Sequence, residues 1–348
     1  MKKRMNRREF MKKGSTVAIG AGLALRSGLS MSQGKEIKSD IVEVLHEGVV
    51  GPGRKVDQEA VNMMVRAGMK NLSGSNNPWA EFLKPTDKVG LKINCLGRPL
   101  LYTHHELIKA VSNELIAFGI KPNNIIVWDR FEKHMEDCKF EFNRSAEGVR
   151  VFGTVSLDNK KSSDDPSLMY ETDFDNPKKR TNNSKISYLS KIFTQECDKH
   201  INLAILKDHG LSGVTLCLKN LAYGLCGNNA RCHGRKHIGP FISDFCSIPV
   251  VKKKTVLHII DGIEACYDNG PVPRNRKVFF EPKKLWIGRD PVALDALGHK
   301  VIAAERKAQG VPSLEMAGRF PDHIQMAADK GVGVADLNKV RINKIKLG

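Results

Sequence analysis

The sequence contains eight cysteines, but no two of them are separated by only two residues. The C-x-x-C pairs of zinc ribbons and ferredoxins are therefore absent, which argues against those metal sites and against an iron–sulfur cluster. The chain also lacks a Ser-His-Asp nucleophile elbow and a Walker-type phosphate loop. These absences argue against an esterase and against a P-loop nucleotide hydrolase.

Aromatic residues are scarce, at 6% of the 348 residues, whereas basic residues outnumber acidic ones. With 56 Lys and Arg against 38 Asp and Glu, the formal charge is +18. Much of this charge is spread along the chain, and no zinc-finger, RRM or helix-turn-helix motif accompanies it, so we expect no nucleic-acid partner. A small anionic substrate, an anionic cell surface and a solvated lysine-rich surface all fit the excess.

The apolar run near the N-terminus is too short to span a membrane. Residues 14–25 form a run of 12 residues, whereas a spanning helix requires about 20. Arg7, Arg8, Phe10 and Lys12 precede the run, and this order resembles a twin-arginine export signal. The resemblance implies that residues 1–30 are a signal read by the twin-arginine export machinery. We expect a periplasmic or extracytoplasmic protein without a stable transmembrane span after processing, and an uncut anchor is the alternative.

Hydrophobic patterns from residue 37 onward predict strands that alternate with helices. Strands are expected at 41–45, 89–94, 125–128, 201–206, 255–260, 285–288 and 340–347. Helices are expected at 57–71, 106–118, 189–198, 216–221, 241–246 and 292–306. The strand–helix–strand order of residues 89–128 is a βαβ unit, which favours a parallel sheet.

We therefore predict an α/β fold of two lobes, with mostly parallel sheets, flanking helices and a cleft between the lobes. The main domain is expected to span residues 37–308. Periodicity fades at about 131–185, which predicts an irregular insertion there. Residues 309–348 are expected to add a C-terminal helix and strand.

Residues 201–239 concentrate more candidate chemistry than any other stretch. Lys207, Asp208 and His209 follow the predicted buried strand 201–206, and ligand sites in open α/β sheets form beyond the carboxyl ends of strands. The next helix adds Lys219 and Asn220. A glycine-bounded turn whose histidine only packs is the alternative, but the accumulation of ionisable groups on a loop favours a functional site.

Thiols and imidazoles follow in the same stretch. Cys226, Cys232, His233 and His237 could hold a transition metal, because thiolate and imidazole suit zinc, nickel or copper. A disulfide and buried free thiols are the alternatives.

Carboxylates stand at the ends of several predicted strands, where they could orient a histidine or bind a cation. These residues are Asp129, Asp208, Asp261 and Asp290. Asp290 also precedes Pro291, which is the pattern of a helix N-cap.

Several of these motifs, in this order, resemble the domain of unknown function 362 (DUF 362) family over roughly residues 40–308. The motifs are Lys92-Ile-Asn94, Thr103-His104, Lys207-Asp208-His209, Gly213-Val-Thr215, Leu218-Lys219-Asn220, Ile260-Asp261-Gly262, Gly270-Pro271 and Asp290-Pro-Val-Ala-Leu-Asp295. Some members carry a ferredoxin-like cluster segment, whose cysteines this sequence lacks. The family name assigns no activity.

A more distant similarity is to the nickel-pincer lactate racemase, in which a lysine follows a histidine by ten positions, as Lys219 follows His209. This similarity implies that Lys219 tethers an organometallic nickel cofactor and that His233 binds the metal. It also implies an acid/base role for His209 and places Arg98 near the substrate carboxylate.

The sequence thus predicts an exported enzyme that acts on a small anionic substrate by His/Lys proton transfer, with a metal or organometallic cofactor as an option. The predicted catalytic residues are His209, Lys219, His104 and Lys92. The predicted substrate-binding residues are Asn94, Arg98, Lys207, Thr215, Asn220 and Asp261. A periplasmic ligand-binding, metal-binding or scaffold protein without turnover is the alternative, because a cleft serves capture and release equally well.

Overall fold

The computed structural model describes residues 36–154, 164–181 and 183–348. Within these residues the strands form one sheet of ten strands and a second sheet of two. In chain order the strands are β1 Ser39–His46, β2 Val89–Lys92, β3 Ile125–Trp128, β4 Arg150–Val151, β5 Asp164–Glu171, β6 Ile186–Ser190, β7 Lys199–His209, β8 Gly213–Val214, β9 Thr255–Cys266, β10 Phe279–Phe280, β11 Lys284–Gly288 and β12 Val340–Leu347.

Eight α-helices lie in the described residues. They are α1 Gln58–Ser73, α2 His105–Phe118, α3 Glu132–Asp137, α4 Leu216–Gly224, α5 Ile238–Cys246, α6 Pro249–Lys254, α7 Pro291–Ala308 and α8 His323–Asp329. The predicted cap of α7 is confirmed, because the Asp290 carboxylate accepts hydrogen bonds from the N–H groups of Val292 and Ala293.

Five neighbouring strands of the large sheet run parallel, in the order β4, β3, β2, β7 and β9. Strand β11 is antiparallel to both β9 and β1, and β1 pairs in parallel with β12. Strands β8 and β10 add short antiparallel extensions to β7 and β9. The prediction of an α/β fold with a mostly parallel sheet and flanking helices is therefore confirmed.

The predicted division into two lobes with a cleft is not confirmed. Strand β2 comes from the first half of the chain and β7 from the second, yet they are direct neighbours, with Leu91 opposite Ile201. Strand β11 then joins β9 to β1, so both halves share one hydrogen-bonded sheet. The carboxyl ends of its parallel strands, rather than a cleft between lobes, are the place to look for a site.

Side chains along a strand point alternately to the two faces of the sheet, and in the buried strands both sets are apolar. Helices therefore cover both faces. Ile201 and Leu203 of β7 belong to a core shared with α1 and α2. Ala204 and Leu206 of the same strand belong to a second core, shared with α4, α5 and α7. The candidate functional residues near the end of β7 are thus held between two packed layers.

Three local predictions differ from the structure. Strand β7 extends to His209 rather than ending at Leu206, because β8 pairs with its last two residues and Lys207 pairs with Cys266 of β9. The predicted helix 189–198 is wrong, since β6 ends at Ser190 and a π-helical turn spans Ile192–Glu196. The insertion at 131–185 contains α3, β4 and β5.

The predicted export signal, residues 1–30, lies outside the described residues. Among the helices of residues 36–154, 164–181 and 183–348, none combines the length and the apolar character that crossing a bilayer requires.

Candidate functional site

Four segments bring polar side chains to one edge of the sheet. Strand β2 ends at Lys92, and β3 is followed directly by Asp129. Strand β7 carries Lys207 near its end, and α4 carries Lys219. Because β2 runs parallel to both β3 and β7, their carboxyl ends meet at the same edge, as the sequence predicts.

A buried ion pair lies at the centre of this edge. Lys92 Nζ is 2.7 Å from Asp129 Oδ1, and the two side chains are 1% and 10% exposed. Burial alone would raise the pKa of Asp129, but the Lys92 ammonium and the N–H groups of Cys95 and Arg130 outweigh burial and lower this pKa below its usual value. A Cβ atom at position 224 would collide with the Lys92 side chain, so Gly224 permits α4 to pack directly on the pair.

A chain of side-chain hydrogen bonds continues from the pair across the strands. Lys207 Nζ donates to Asn94 Oδ1 at 2.8 Å, and Asn94 Nδ2 donates to Asn220 Oδ1 at 3.0 Å. Asn220 Nδ2 donates to Asn202 Oδ1 at 2.7 Å, and Asn202 Nδ2 contacts His258 Nδ1 at 3.1 Å. Of the predicted ligand-binding residues, Asn94, Lys207 and Asn220 are therefore brought together, and their polar atoms largely serve one another.

The aromatic and imidazole side chains of the predicted site form a second group, next to the first. The ring centroids of His209 and His233 are 5.4 Å apart, and those of His233 and Tyr223 are also 5.4 Å apart. Lys219 Nζ lies 4.5 Å from the centroid of the Tyr223 ring, which is a cation–π distance. The prediction that Lys219, His209 and His233 share a site agrees with these distances.

His209 is held in one tautomer by the turn that follows it. Its Nδ1 accepts hydrogen bonds from the N–H groups of Leu211 and Ser212, at 3.1 and 3.2 Å. The proton of the neutral ring therefore lies on Nε2, which has no hydrogen-bond partner among the described residues. Burial, and then the Lys219 ammonium, lower the pKa of His209 well below its usual value, so the ring is neutral at physiological pH.

The other ionisable groups of this second cluster are also shifted by burial. Burial, followed by the charge of Lys207, lowers the pKa of Lys219 to about 7. Burial, followed by the charge of Lys219, lowers the pKa of His233 to about 4. Lys219 is thus the group in this cluster whose charge changes near neutral pH.

His104 occupies a different environment from the one predicted. Its Nδ1 is 2.8 Å from Asp261 Oδ2, and its Nε2 is 3.7 Å from Glu264 Oε2. Burial opposes the charged form, but Asp261 and Glu264 outweigh burial and raise the pKa of His104 to about 10. Asp261 thus orients a histidine as expected, although it lies in the middle of β9 rather than at the end of a strand. A histidine that stays charged is a poor proton carrier at neutral pH, which argues against the predicted catalytic role of His104.

Several other predicted residues also have structural partners of their own. Arg98 Nε donates to Asp137 Oδ2 at 2.9 Å, and Asp208 Oδ1 accepts from the N–H of Gly270 at 2.7 Å. Neither contact involves His209 or Lys219. Thr215 precedes α4 and is buried, and its hydroxyl has no partner among the described residues.

The structure does not bring the four predicted metal ligands together. All eight cysteines are buried free thiols, including Cys226 and Cys232. His237 stacks on Phe174, while His233 faces His209. No group of three or more His, Cys, Asp or Glu side chains in the described ranges could hold a metal ion, so these residues do not fit a metal held by the protein alone.

Sequence reasoning missed residues that complete the site from distant parts of the chain. The Asp295 carboxylate accepts hydrogen bonds from the N–H groups of Cys217 and Leu218, at 2.7 and 3.0 Å. These bonds fix the start of α4, where Leu216 has a left-handed φ of 45°. Asp295 belongs to a motif that carried the family resemblance, whereas Asn202, which accepts a hydrogen bond from Asn220 Nδ2, had no sequence signal.

The comparisons with known proteins identify a family and leave the chemistry open. A family model described as "Domain of unknown function (DUF362)" matches residues 89–300. No curated protein matches the chain significantly. One similar solved structure is a structural-genomics crystal structure of a Thermotoga maritima protein, with 10% identity and a TM-score of 0.42. The similarity covers 73% of this chain and 59% of that protein, so this chain spans less than two thirds of its length.

The Lys92–Asp129 pair provides a test of the first cluster. Replacement of Lys92 by Met should lower the free energy of unfolding by about 3–5 kcal/mol, because it leaves the Asp129 carboxylate buried without its ammonium. Urea titration followed by circular dichroism measures this loss. The control is Lys88→Met, since Lys88 is exposed and only its backbone atoms form hydrogen bonds in the described structure.

The double variant Lys92→Met/Asp129→Asn should recover part of the stability, because no charge is then left buried. A double variant that is no more stable than Lys92→Met would show that the unpaired carboxylate is not the source of the loss.

Proposed function

This chain belongs to the DUF362 family, and we propose from its site that it binds a small anionic molecule beside Lys219 and transfers a proton to or from it. One observation carries the proposal. Lys219 is only 3% exposed, and its ammonium makes no hydrogen bond or ion pair within the described residues. Buried ammonium groups are normally paired. A bound anion would supply the missing partner.

Lys219 is suited to carry the proton. With a pKa of about 7, its ammonium and amine forms are present in similar amounts at neutral pH. That balance suits a general acid or base, which is most effective when its pKa lies near the working pH. The substrate class is a small carboxylate with a C–H bond next to a carbonyl or carboxylate group.

His209 is better suited to stabilise charge than to move the proton. Its Nδ1 is occupied by two backbone N–H groups, so a second ring proton would displace them. Its Nε2–H is a neutral donor that has no hydrogen-bond partner among the described residues. In complexes where Lys219 is the neutral amine, the proton of the breaking C–H bond passes to its Nζ and the electron pair stays on the substrate as an enolate. The His209 N–H would then stabilise the enolate oxygen, and the reverse step returns the proton.

The proton transfer predicts isotope exchange. In D₂O the protein should incorporate deuterium next to the carbonyl or carboxylate group of members of a panel of small 2-oxo and 2-hydroxy carboxylates, followed by proton NMR. Lys219→Met should abolish the exchange, because no base remains. His209→Gln should slow it by about 10²–10³-fold, the usual cost of losing one charge-stabilising donor.

The exposed residue Lys253 provides the matched control, and Lys253→Met should exchange at the wild-type rate. If no acid in the panel exchanges above the buffer rate although the same acids bind, the site captures its ligand without turnover, and the catalytic part of the proposal fails.

The pKa of Lys219 also sets the pH dependence of binding. Below pH 7 the ammonium is present and anion affinity should be constant. Above pH 7 the free protein loses the charge, so the Kd should rise by about tenfold per pH unit until the pKa of the complex is passed. Calorimetric titration with the same carboxylates measures this dependence. Lys219→Arg should bind without this pH dependence, because arginine stays charged. A rise in Kd that persists in Lys219→Arg would assign the titration to another group.

We further propose that the chain is exported by the twin-arginine pathway. Arg7, Arg8 and the apolar run at residues 14–25 support this, and they suit a protein that folds before export. In a bacterial host, Arg7→Lys/Arg8→Lys should retain the full-length chain in the cytoplasm, as shown by fractionation and immunoblotting. Lys2→Arg/Lys3→Arg is the charge-matched control and should be exported normally. Export of the Arg7/Arg8 variant at the wild-type level would exclude this route.

A further inference from the structure

A cavity with a volume of about 180 Å³ is lined in part by the turn that follows His209. It is lined partly by Ser212, Arg235, Lys236, Phe320, His323 and Met326. Ser212 belongs to both regions, because its backbone N–H donates to His209 Nδ1 while the residue also lines the cavity. The residue 211–212 segment therefore forms part of the wall beside His209.

His323 is a buried polar residue in the cavity lining without a protein partner. It is 0% exposed, and neither ring nitrogen has a hydrogen-bond partner among the described residues. The nearest carboxylate, that of Asp295, is 4.0 Å from Nε2, beyond hydrogen-bond distance. Burial keeps the ring neutral, with a pKa lowered to about 3. A neutral imidazole offers one donor and one acceptor, so it suits a group that can both accept and donate, such as a hydroxyl.

The exposed part of the lining has a different character. Arg235 and Lys236 are both exposed there, and Lys236 makes no hydrogen bond or ion pair within the described part of the chain. Arg235 uses one nitrogen, Nη1, to donate to the carbonyl oxygen of Gly318 at 2.7 Å. Asp322 opposes these two positive charges with one negative charge. Phe320, which is 47% exposed, and Met326 add apolar surface.

We propose that this cavity is a separate binding site for a small carboxylate with a short apolar chain and a hydroxyl group at its far end. The carboxylate lies beside Arg235 and Lys236, and the chain contacts Phe320 and Met326. The hydroxyl bonds to His323, whose ring is fully buried and becomes accessible when the lining side chains move. Each part of the ligand is complementary to one chemical feature of the lining. The proposal does not rest on proton transfer at Lys219, since none of these residues belongs to that site.

The test uses 5-hydroxypentanoate as the probe, with pentanoate and pentan-1-ol as comparisons, in calorimetric titrations of the full chain. Wild type should bind 5-hydroxypentanoate about tenfold more tightly than pentanoate, which lacks the group for His323. Pentan-1-ol should bind more weakly than 5-hydroxypentanoate, because it lacks the charge. His323→Phe keeps a ring of similar size and should reduce 5-hydroxypentanoate to the affinity of pentanoate.

Two further variants keep the test decisive if His323→Phe does not fold. Arg235→Gln/Lys236→Gln changes only exposed side chains and should weaken both acids at least tenfold while leaving pentan-1-ol unchanged. Lys219→Met should leave 5-hydroxypentanoate binding intact. The proposal is overturned if wild type does not bind the probe at millimolar concentration, if the double variant binds it as well as wild type does, or if Lys219→Met abolishes binding.

Discussion

Three buried lysine ammonium groups at one edge of the sheet impose the main physical constraint on this structure. Lys92, Lys207 and Lys219 are each 3% exposed or less. Of the three, only Lys92 contacts a carboxylate of the described residues, that of Asp129. Burying a charge costs free energy unless it is paired and hydrogen-bonded, and like charges increase that cost. The pKa values show the consequence. Burial lowers the pKa of Lys207 to about 8, although nearby acidic groups raise it, and burial together with the charge of Lys207 lowers the pKa of Lys219 to about 7.

The sheet makes this concentration of charge possible because its parallel strands end together. Lys92 and Lys207 come from β2 and β7, which are direct neighbours. Strand β7 stays paired as far as His209, so Lys207 lies within the sheet and its side chain cannot turn out to solvent. Asp295 then fixes the first turn of α4 against the same edge, which holds Lys219 in place. Strand pairing and helix capping together supply the rigidity that keeps the charges buried.

Local patterns in the sequence were sufficient to predict most of the elements and the central stretch of the site. Apolar runs bounded by polar residues identify strands such as β3, and Asp290-Pro291 identifies the start of α7, because both depend on neighbouring residues alone. Pairing between distant strands depends on residues far apart in the sequence, so the single sheet was not predicted. The roles of Asn202 and His323 also depend on long-range packing. Arg98, a candidate ligand-binding residue, pairs with Asp137, a contact that no local pattern in the sequence indicated.

The direction of the hydrogen bonds explains why Lys219 differs from the other two lysines. An ammonium can only donate, so Lys207 forces Asn94 to present its oxygen, which leaves the Asn94 amide nitrogen to donate to Asn220. Asn220 then presents its nitrogen to Asn202, and the donor direction is fixed along the whole chain. Lys92 has Asp129. In the described residues Lys219 has neither an amide nor a carboxylate acceptor, only the face of Tyr223. The site thus satisfies two of its lysines internally and leaves the third to interact with whatever enters.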